Sequence, residues 1–277
     1  MRRDLFPLKD FTDATVNQAY QTAGQVLAGA TTDAELARVK CDADTKRNDA
    51  LARDPLLNAA CSYLALAQAG VPVGADGPER LYHFAANAFR DLGLLQRAAE
   101  CYFNAALVGY RTSASGLTGD TSFSRRSAGR AKAMFSELGD DENSDDAHVL
   151  QQRIRSAEFR RARKYPLALS FWLWDCVSRF GTIPSRWLGS TLAAILLFAL
   201  LYPMLIYGDH FKAATDVQRG GLALFTSSLG FSLGNLFQFG TLGTLTPVSA
   251  LGQLVAVAHG VVAFVLVGTG ATFLTRR

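Results

Sequence analysis

Between Phe231 and Val257 the chain reads FSLGNLFQFGTLGTLTPVSALGQLVAV, too apolar for a surface loop and too rich in Gly, Thr, Ser and Asn for an ordinary membrane helix. The part of it able to do chemistry is the glycine-punctuated run Phe239, Gly240, Thr241, Leu242, Gly243, Thr244. Set between two apolar stretches, it reads as non-helical backbone at membrane depth, which is tolerated only where it is shielded by protein or lines a wet cavity. Asn235 and Gln238 stand just before it. The Asn235 amide can support the run from behind or satisfy a nearby backbone group. His259 follows inside an apolar stretch, where an ionisable residue is a functional hypothesis by default. It reads either as an interhelical hydrogen bond from neutral imidazole or as a pore-facing, pH-sensitive ring.

Other chemistry is absent from the motifs. There is no G-x-x-x-x-G-K-[ST], G-x-S-x-G or H-E-x-x-H. His83 and His148 have no partners at triad or metal spacing, and Cys41, Cys61, Cys101 and Cys176 are scattered, which reads as buried, reduced thiols. No catalytic residue, metal or cofactor is expected, and the chain is not read as an enzyme.

The elements that must position this run are apolar. From Tyr165 onward the acidic residues are Asp175, Asp209 and Asp216, so nearly all charge sits in the first 164 residues. Trp187–Tyr207 carries no charge, and at about 1.5 Å per residue it matches a hydrocarbon core of about 30 Å. Trp187 and Tyr207 are placed for the headgroup level, and Pro203 for a kink. A second span runs over 249–274, followed by Arg276 and Arg277. Gly252, Ala256, Gly260 and Gly268 read as one stripe of small residues, for close packing or, at Gly260, as a hinge. Basic residues before the first span (Arg160, Arg161, Arg163, Lys164, Arg179, Arg186) and after the second place both flanks in the cytoplasm. Two crossings satisfy that, so Leu222–Leu245 does not span: it enters the membrane and leaves on the same side, or lies outside. A helix over Gly221–Phe237 and then a loop fits a re-entrant pore segment, since non-helical backbone at membrane depth is tolerated only where it is shielded or lines a wet cavity. Such a path needs several copies to enclose it.

In order, FGTIPSRWLGSTLAAILLFALLY, the pore-helix stretch, FGTLGTLTP and SALGQLVAV resemble the two-transmembrane, one-pore-loop class of potassium-channel-related proteins, over about Trp172–Arg277. The resemblance implies a homotetramer conducting cations through Phe239–Thr244, gated by the second span. With Gly243 aligned to the second glycine of that family's TTVGYGD, Thr241 replaces the first glycine, Leu242 the aromatic and Thr244 the Asp. Gln238 and Phe239 replace the threonines. A β-branched Thr resists the dihedrals a glycine permits, so a weakly selective cation path is expected.

Before Tyr165 the chain reads as helices, with no strand alternation or hairpin signal. In YHFAANAFRDLGLLQRAAECYFNAAL, the residues Tyr82, Ala86, Phe89, Gly93, Ala98, Tyr102 and Ala105 fall where a tetratricopeptide repeat places its packing residues. A second repeat keeps Phe135, Gly139 and Ala147 but carries the acidic insertion DDENSDD, read as a solvated loop. It lacks the glycine and terminal Glu of an EF-hand. About three helical hairpins are expected, binding an unnamed protein or peptide. The basic stretch RIRSAEFRRARK suits anionic inner-leaflet lipid, and no nucleic-acid motif is present.

The expected fold is all-α: a cytoplasmic helical-repeat domain (1–150), a basic linker and interfacial helix (151–186), and a pore domain (187–277). The N-terminus has no apolar signal region, so both termini are expected in the cytoplasm, with the spans in the inner membrane. The alternatives are a non-conducting membrane-anchored adaptor, or a gated pore-forming defence or toxin effector.

Overall fold

The computed structural model describes residues 14–30, 32–48, 53–70, 76–114, 120–213, 221–237 and 245–274, and eleven helices lie among them. The chain divides into two compact units, Met1–Ala168 and Leu169–Arg277.

The first unit holds α1 (Ala14–Gly29), α2 (Asp33–Asn48), α3 (Arg53–Ala69), α4 (Pro78–Asp91), α5 (Leu95–Ala114), α6 (Thr121–Glu137) and α7 (Asp141–Arg161). Local chemistry starts and stops these helices. Thr32 and Glu35 form a capping box at α2: the Thr32 N–H donates to Glu35 Oε2 at 2.9 Å and the Glu35 N–H to Thr32 Oγ1 at 3.3 Å. Pro78 opens α4, where its missing N–H costs nothing. After α4, Gly93 turns left-handed (φ 76°), and the Leu94 N–H closes back on the Phe89 carbonyl at 2.9 Å. Gly139 repeats the turn after α6, with the Asp140 N–H on the Phe135 carbonyl at 2.9 Å.

Sequence neighbours pack on one another along this unit, from α2·α3 through α6·α7. Tyr82, Ala86, Phe89, Ala98, Tyr102 and Ala105 are all buried in the α4–α5 core, joined by Tyr63, Leu64 and Leu81. Two corrections follow. DDENSDD is not a loop: Asp140 caps α7, its carboxylate accepting the Asn143 N–H at 3.2 Å, and Asp141 and Glu142 occupy the first turn. Carboxylates there face the positive end of the helix dipole, so an acidic run is a helix start as readily as a loop. Moreover, α7 runs through position 150, the expected domain boundary, to Arg161.

In the second unit, α8 (Tyr165–Ser178, most of whose length falls here) leads to α9 (Pro184–Tyr207), α10 (Gly221–Phe237) and α11 (Ala250–Leu274). The α8–α9 turn puts Arg179, Phe180 and Gly181 in the left-handed region (φ 50°, 58° and 76°). That conformation costs a non-glycine residue about 1–2 kcal/mol. It is offset by burial of Phe180 against Trp174, with ring centroids 5.7 Å apart. Two helices, α9 and α11, are long and apolar enough to cross a membrane. Their outer faces are bare hydrocarbon: Leu200 is 61% exposed, Met204 71% and Phe264 74%.

The fold is not purely helical. Phe211–Ala213 (β1) and Leu245–Pro247 (β2) pair antiparallel, with Phe211 opposite Pro247 and Ala213 opposite Leu245. Three-residue strands carry no readable alternation. They form because the backbone that leaves α9 and re-enters α11 needs partners for its polar groups.

Candidate functional site

Three helices of the second unit meet at one polar node. The Tyr202 hydroxyl of α9 donates to His259 Nδ1 of α11 at 2.7 Å. The Asn235 side-chain amide of α10 approaches the same nitrogen at 3.3 Å. Two donors converging on one nitrogen make Nδ1 the acceptor, which leaves the ring proton on Nε2. Phe198 stacks on the imidazole, ring centroids 3.9 Å apart and planes at 14°. Phe211 and Phe231 stand edge-on to Tyr202 at 5.2 and 4.9 Å. His259 is only 2% exposed, so it faces α9 and α10 within the protomer and not the open side of α11. One turn before Asn235, the Ser232 hydroxyl donates to the Ile195 carbonyl at 3.2 Å, tying α10 to the middle of α9.

A second set of contacts closes the loop ends. Ser249 caps α11, its hydroxyl accepting the Gly252 N–H at 3.1 Å and meeting His210 Nδ1 at 2.8 Å. The Val248 N–H donates to the His210 carbonyl at 3.0 Å. Gly252 is required there, because a Cβ would lie 2.4 Å from that carbonyl oxygen. Asp209 turns left-handed (φ 57°) just before, and the His210 N–H closes on the Leu205 carbonyl at 2.9 Å.

The expected stripe of small residues does not lie on one face. A helix of 3.6 residues per turn overshoots by about 80° in eight residues and about 160° in sixteen. Gly252 accordingly meets His210, whereas Gly260 and Gly268 are exposed with nothing near a built Cβ. Close helix contact occurs instead at Gly270, where a Cβ would come within 2.7 Å of the Trp187 indole. Trp187 is half-buried and donates its indole N–H to the Leu266 carbonyl at 2.8 Å, so it serves packing between α9 and α11.

Phe239–Thr244 and Gln238 lie outside the described residues, as do Arg276 and Arg277. Tyr202, His210 and Ser249 escaped the sequence reading. Ser249 had a signal, a hydroxyl directly before an apolar run. Tyr202, inside a span, looks like any belt or packing aromatic.

In the first unit, His83 Nδ1 meets the Ser127 hydroxyl at 3.3 Å and Nε2 accepts from Arg130 at 3.1 Å. Burial first, then the charges of Arg130, Arg47, Arg90 and Arg126, push its pKa down to about 4. Lys132 Nζ lies 3.4 Å from His148 Nδ1. Cys61 and Cys101 are buried as expected, while Cys41 and Cys176 are exposed, a correction that follows from their places on the outer faces of α2 and α8. Burial pushes the Cys61 thiol up to about 12, which makes it a packing group and not a nucleophile.

Comparison with protein-family models, with curated proteins and with solved structures finds no match to this chain.

Proposed function

We propose that the chain is the subunit of an oligomeric, cation-conducting membrane channel, regulated through N-terminal helical hairpins similar to tetratricopeptide repeats. The observation that carries this reading is the pairing of Ala213 with Leu245. Segment 214–244 begins and ends at one rung of a ladder, so it returns to its starting level. Between those ends α10 packs against Ile195 and His259. With α9 about 36 Å long by helical rise, Ile195 lies near its midpoint. A segment that leaves one level, reaches the middle of two apolar helices and comes back is what a re-entrant pore loop requires.

The run Phe239–Thr244 takes its role in this reading from its place in the sequence, directly after α10. It follows Asn235 closely in sequence, and the Tyr202–Asn235–His259 node anchors the end of α10 that presents it. Rings of its carbonyls from neighbouring copies would coordinate permeant cations. The homotetramer rests on the resemblance, and the bare faces of α9 and α11 provide surface for both lipid and neighbouring copies. Apolar exposure on α8, with Tyr165, Leu169 and Trp172 open, supports an interfacial position next to the basic end of α7. Both termini then lie in the cytoplasm and the spans in the inner membrane.

Unitary currents in planar bilayers under asymmetric potassium and sodium test this reading. Purified wild-type protein is expected to conduct with weak discrimination, and Gly243→Asp to abolish or alter the current. Silence from folded, inserted protein across a wide voltage range would favour the membrane-anchored adaptor instead.

A further inference from the structure

Tyr110 of α5 lines two cavities of the first unit, which therefore adjoin. One, of about 160 Å³, has Phe103 and Leu107 of α5 and Asp146, Val149 and Leu150 of α7 in its walls. The other, of about 370 Å³, is bounded by Ser113 of α5 and by Ala157, Arg160 and Arg161 of α7. Phe103, Leu107, Tyr110 and Ser113 recur every three or four residues and so share one face of α5. Asp146, Leu150, Arg153, Ala157 and Arg160 do the same on α7. At helical rise the stretch from Phe103 to Ser113 gives a groove about 15 Å long. One end of it is mainly apolar and the other cationic.

The cationic end has polar groups to spare. Ser113 Oγ is buried with no hydrogen-bond partner among the described residues. A hydroxyl left in that state costs free energy, which an acceptor or donor on a ligand would recover. Arg160 and Arg161 are exposed and form no ion pair among the described residues, whereas Glu158 in the same turn is taken by Arg125 at 3.2 Å. Arg161 donates to the Ser113 carbonyl and so caps the end of α5. Both helices finish here, at Ala114 and Arg161, and each C-terminus carries about half a negative charge. Together they offset about one of the two guanidinium charges and leave the other for an anion.

We infer that the groove between α5 and α7 binds a soluble nucleotide, its phosphate on Arg160, Arg161 and Ser113 and its base in the cavity beyond Tyr110. Guanidinium forks match the spacing of phosphate oxygens. The larger cavity falls within the range of small-molecule sites, about 300–1,000 Å³. The smaller one is close to the cavity of about 150 Å³ that takes up benzene, so it holds one ring. Asp146 decides which kind of ring or chain. Hydrocarbon would strip water from this buried carboxylate and return no hydrogen bond. A nucleobase brings N–H donors that the carboxylate oxygens can accept. A lipid phosphate, whose tail is hydrocarbon, is disfavoured on that ground. The inference does not depend on conduction by the second unit.

Equilibrium dialysis of radiolabelled AMP, GMP, CMP and UMP against the full-length protein in detergent tests it. At least one of the four should bind, and its nucleoside or inorganic phosphate alone should bind at least about ten-fold more weakly, as the loss of a charge-assisted contact requires. Arg160→Gln, at an exposed position with no ion pair to lose, should weaken binding by a similar factor with an unchanged melting temperature. Ser113→Ala should weaken binding without loss of stability, because the hydroxyl it removes has no partner in the unliganded fold. Lys164→Gln takes a charge from the same basic stretch but from neither cavity wall, and should bind as wild type. Absence of binding by all four nucleotides overturns the inference, as does equal binding of inorganic phosphate. An equal loss in Arg160→Gln and Lys164→Gln would reduce the site to a diffuse positive field and overturn it too. So would displacement of the nucleotide by detergent-dispersed phosphatidylglycerol more readily than by unlabelled nucleotide.

Discussion

Gly252→Ala and Gly260→Ala change the same helix in the same way, yet their effects should differ in sign. At Gly252 the new Cβ would sit 2.4 Å from the His210 carbonyl oxygen and 3.3 Å from Phe211 Cε2. An ordinary C···O approach is about 3.3 Å, so roughly 1 Å of movement is needed. The obstacle is backbone, and the carbonyl is tied by the Val248 N–H at 3.0 Å beside the β1–β2 ladder. Overpacking of this kind costs about 1–3 kcal/mol. Replacing Gly by Ala in a helix returns up to about 1 kcal/mol. The net expectation is a loss of about 1–2 kcal/mol at Gly252. At Gly260 nothing lies within 4 Å of the built Cβ, so only the small helical gain remains. Unfolding in mild detergent by graded addition of dodecyl sulfate, followed by tryptophan fluorescence, measures both. A Gly252→Ala protein as stable as Gly260→Ala would refute the seating of His210 on α11. A Gly260→Ala protein that keeps its stability but loses its oligomer on size-exclusion chromatography would mark that glycine as a contact between copies.

Tyr202→Phe removes the shorter of the two hydrogen bonds to His259 Nδ1 and should cost about 1 kcal/mol, within the range measured for interhelical bonds in membranes; the same unfolding assay should find it non-additive with Asn235→Ala, and strict additivity would break the node into separate contacts. Asp140→Ala removes the cap of α7 and should lower stability by about 1 kcal/mol in a thermal melt followed by circular dichroism, with no change if the acidic run contributes nothing to the helix start. The melting temperature should also carry a histidine signature. His83 is held near 4, below its ordinary 6.5, so protons bind the unfolded chain more readily. Its stabilisation is therefore complete above pH 6.5 and is lost as pH falls from 6.5 toward 4, with a slope of at most about 1.4 kcal/mol per pH unit. His83→Gln should flatten that part of the profile, and an unchanged slope would assign it to other groups.

What was legible in the sequence is what local chemistry decides. An uncharged run that ends in Gly-Asp reads as α9, and Pro78 and Gly93 bracket α4 without help from the rest of the chain. The α10 boundaries follow from an apolar run with polar neighbours, and Tyr82 and Phe89 are core residues because their spacing of seven stacks them on one face of α4, while Tyr102 joins that core from α5. Tertiary closure hid the rest. Three-residue strands have no period, so Ala213 and Leu245 give no sign that they are partners until the intervening segment folds back. Acidic residues in a row look solvated, although Asp140 followed by Asp141 and Glu142 is equally the signature of a helix N-terminus. The small residues of α11 show the same limit in angular form. Spaced by multiples of four, they look like one stripe, but at 3.6 residues per turn the stripe winds around the helix. Its first member, Gly252, is spent inside the protomer on the His210 carbonyl. Gly260 and Gly268 have turned away to the exposed side. A glycine packed on its own chain is explained by that contact. Two that touch nothing are bare backbone on an apolar surface, and a second copy of the chain could approach α11 most closely there.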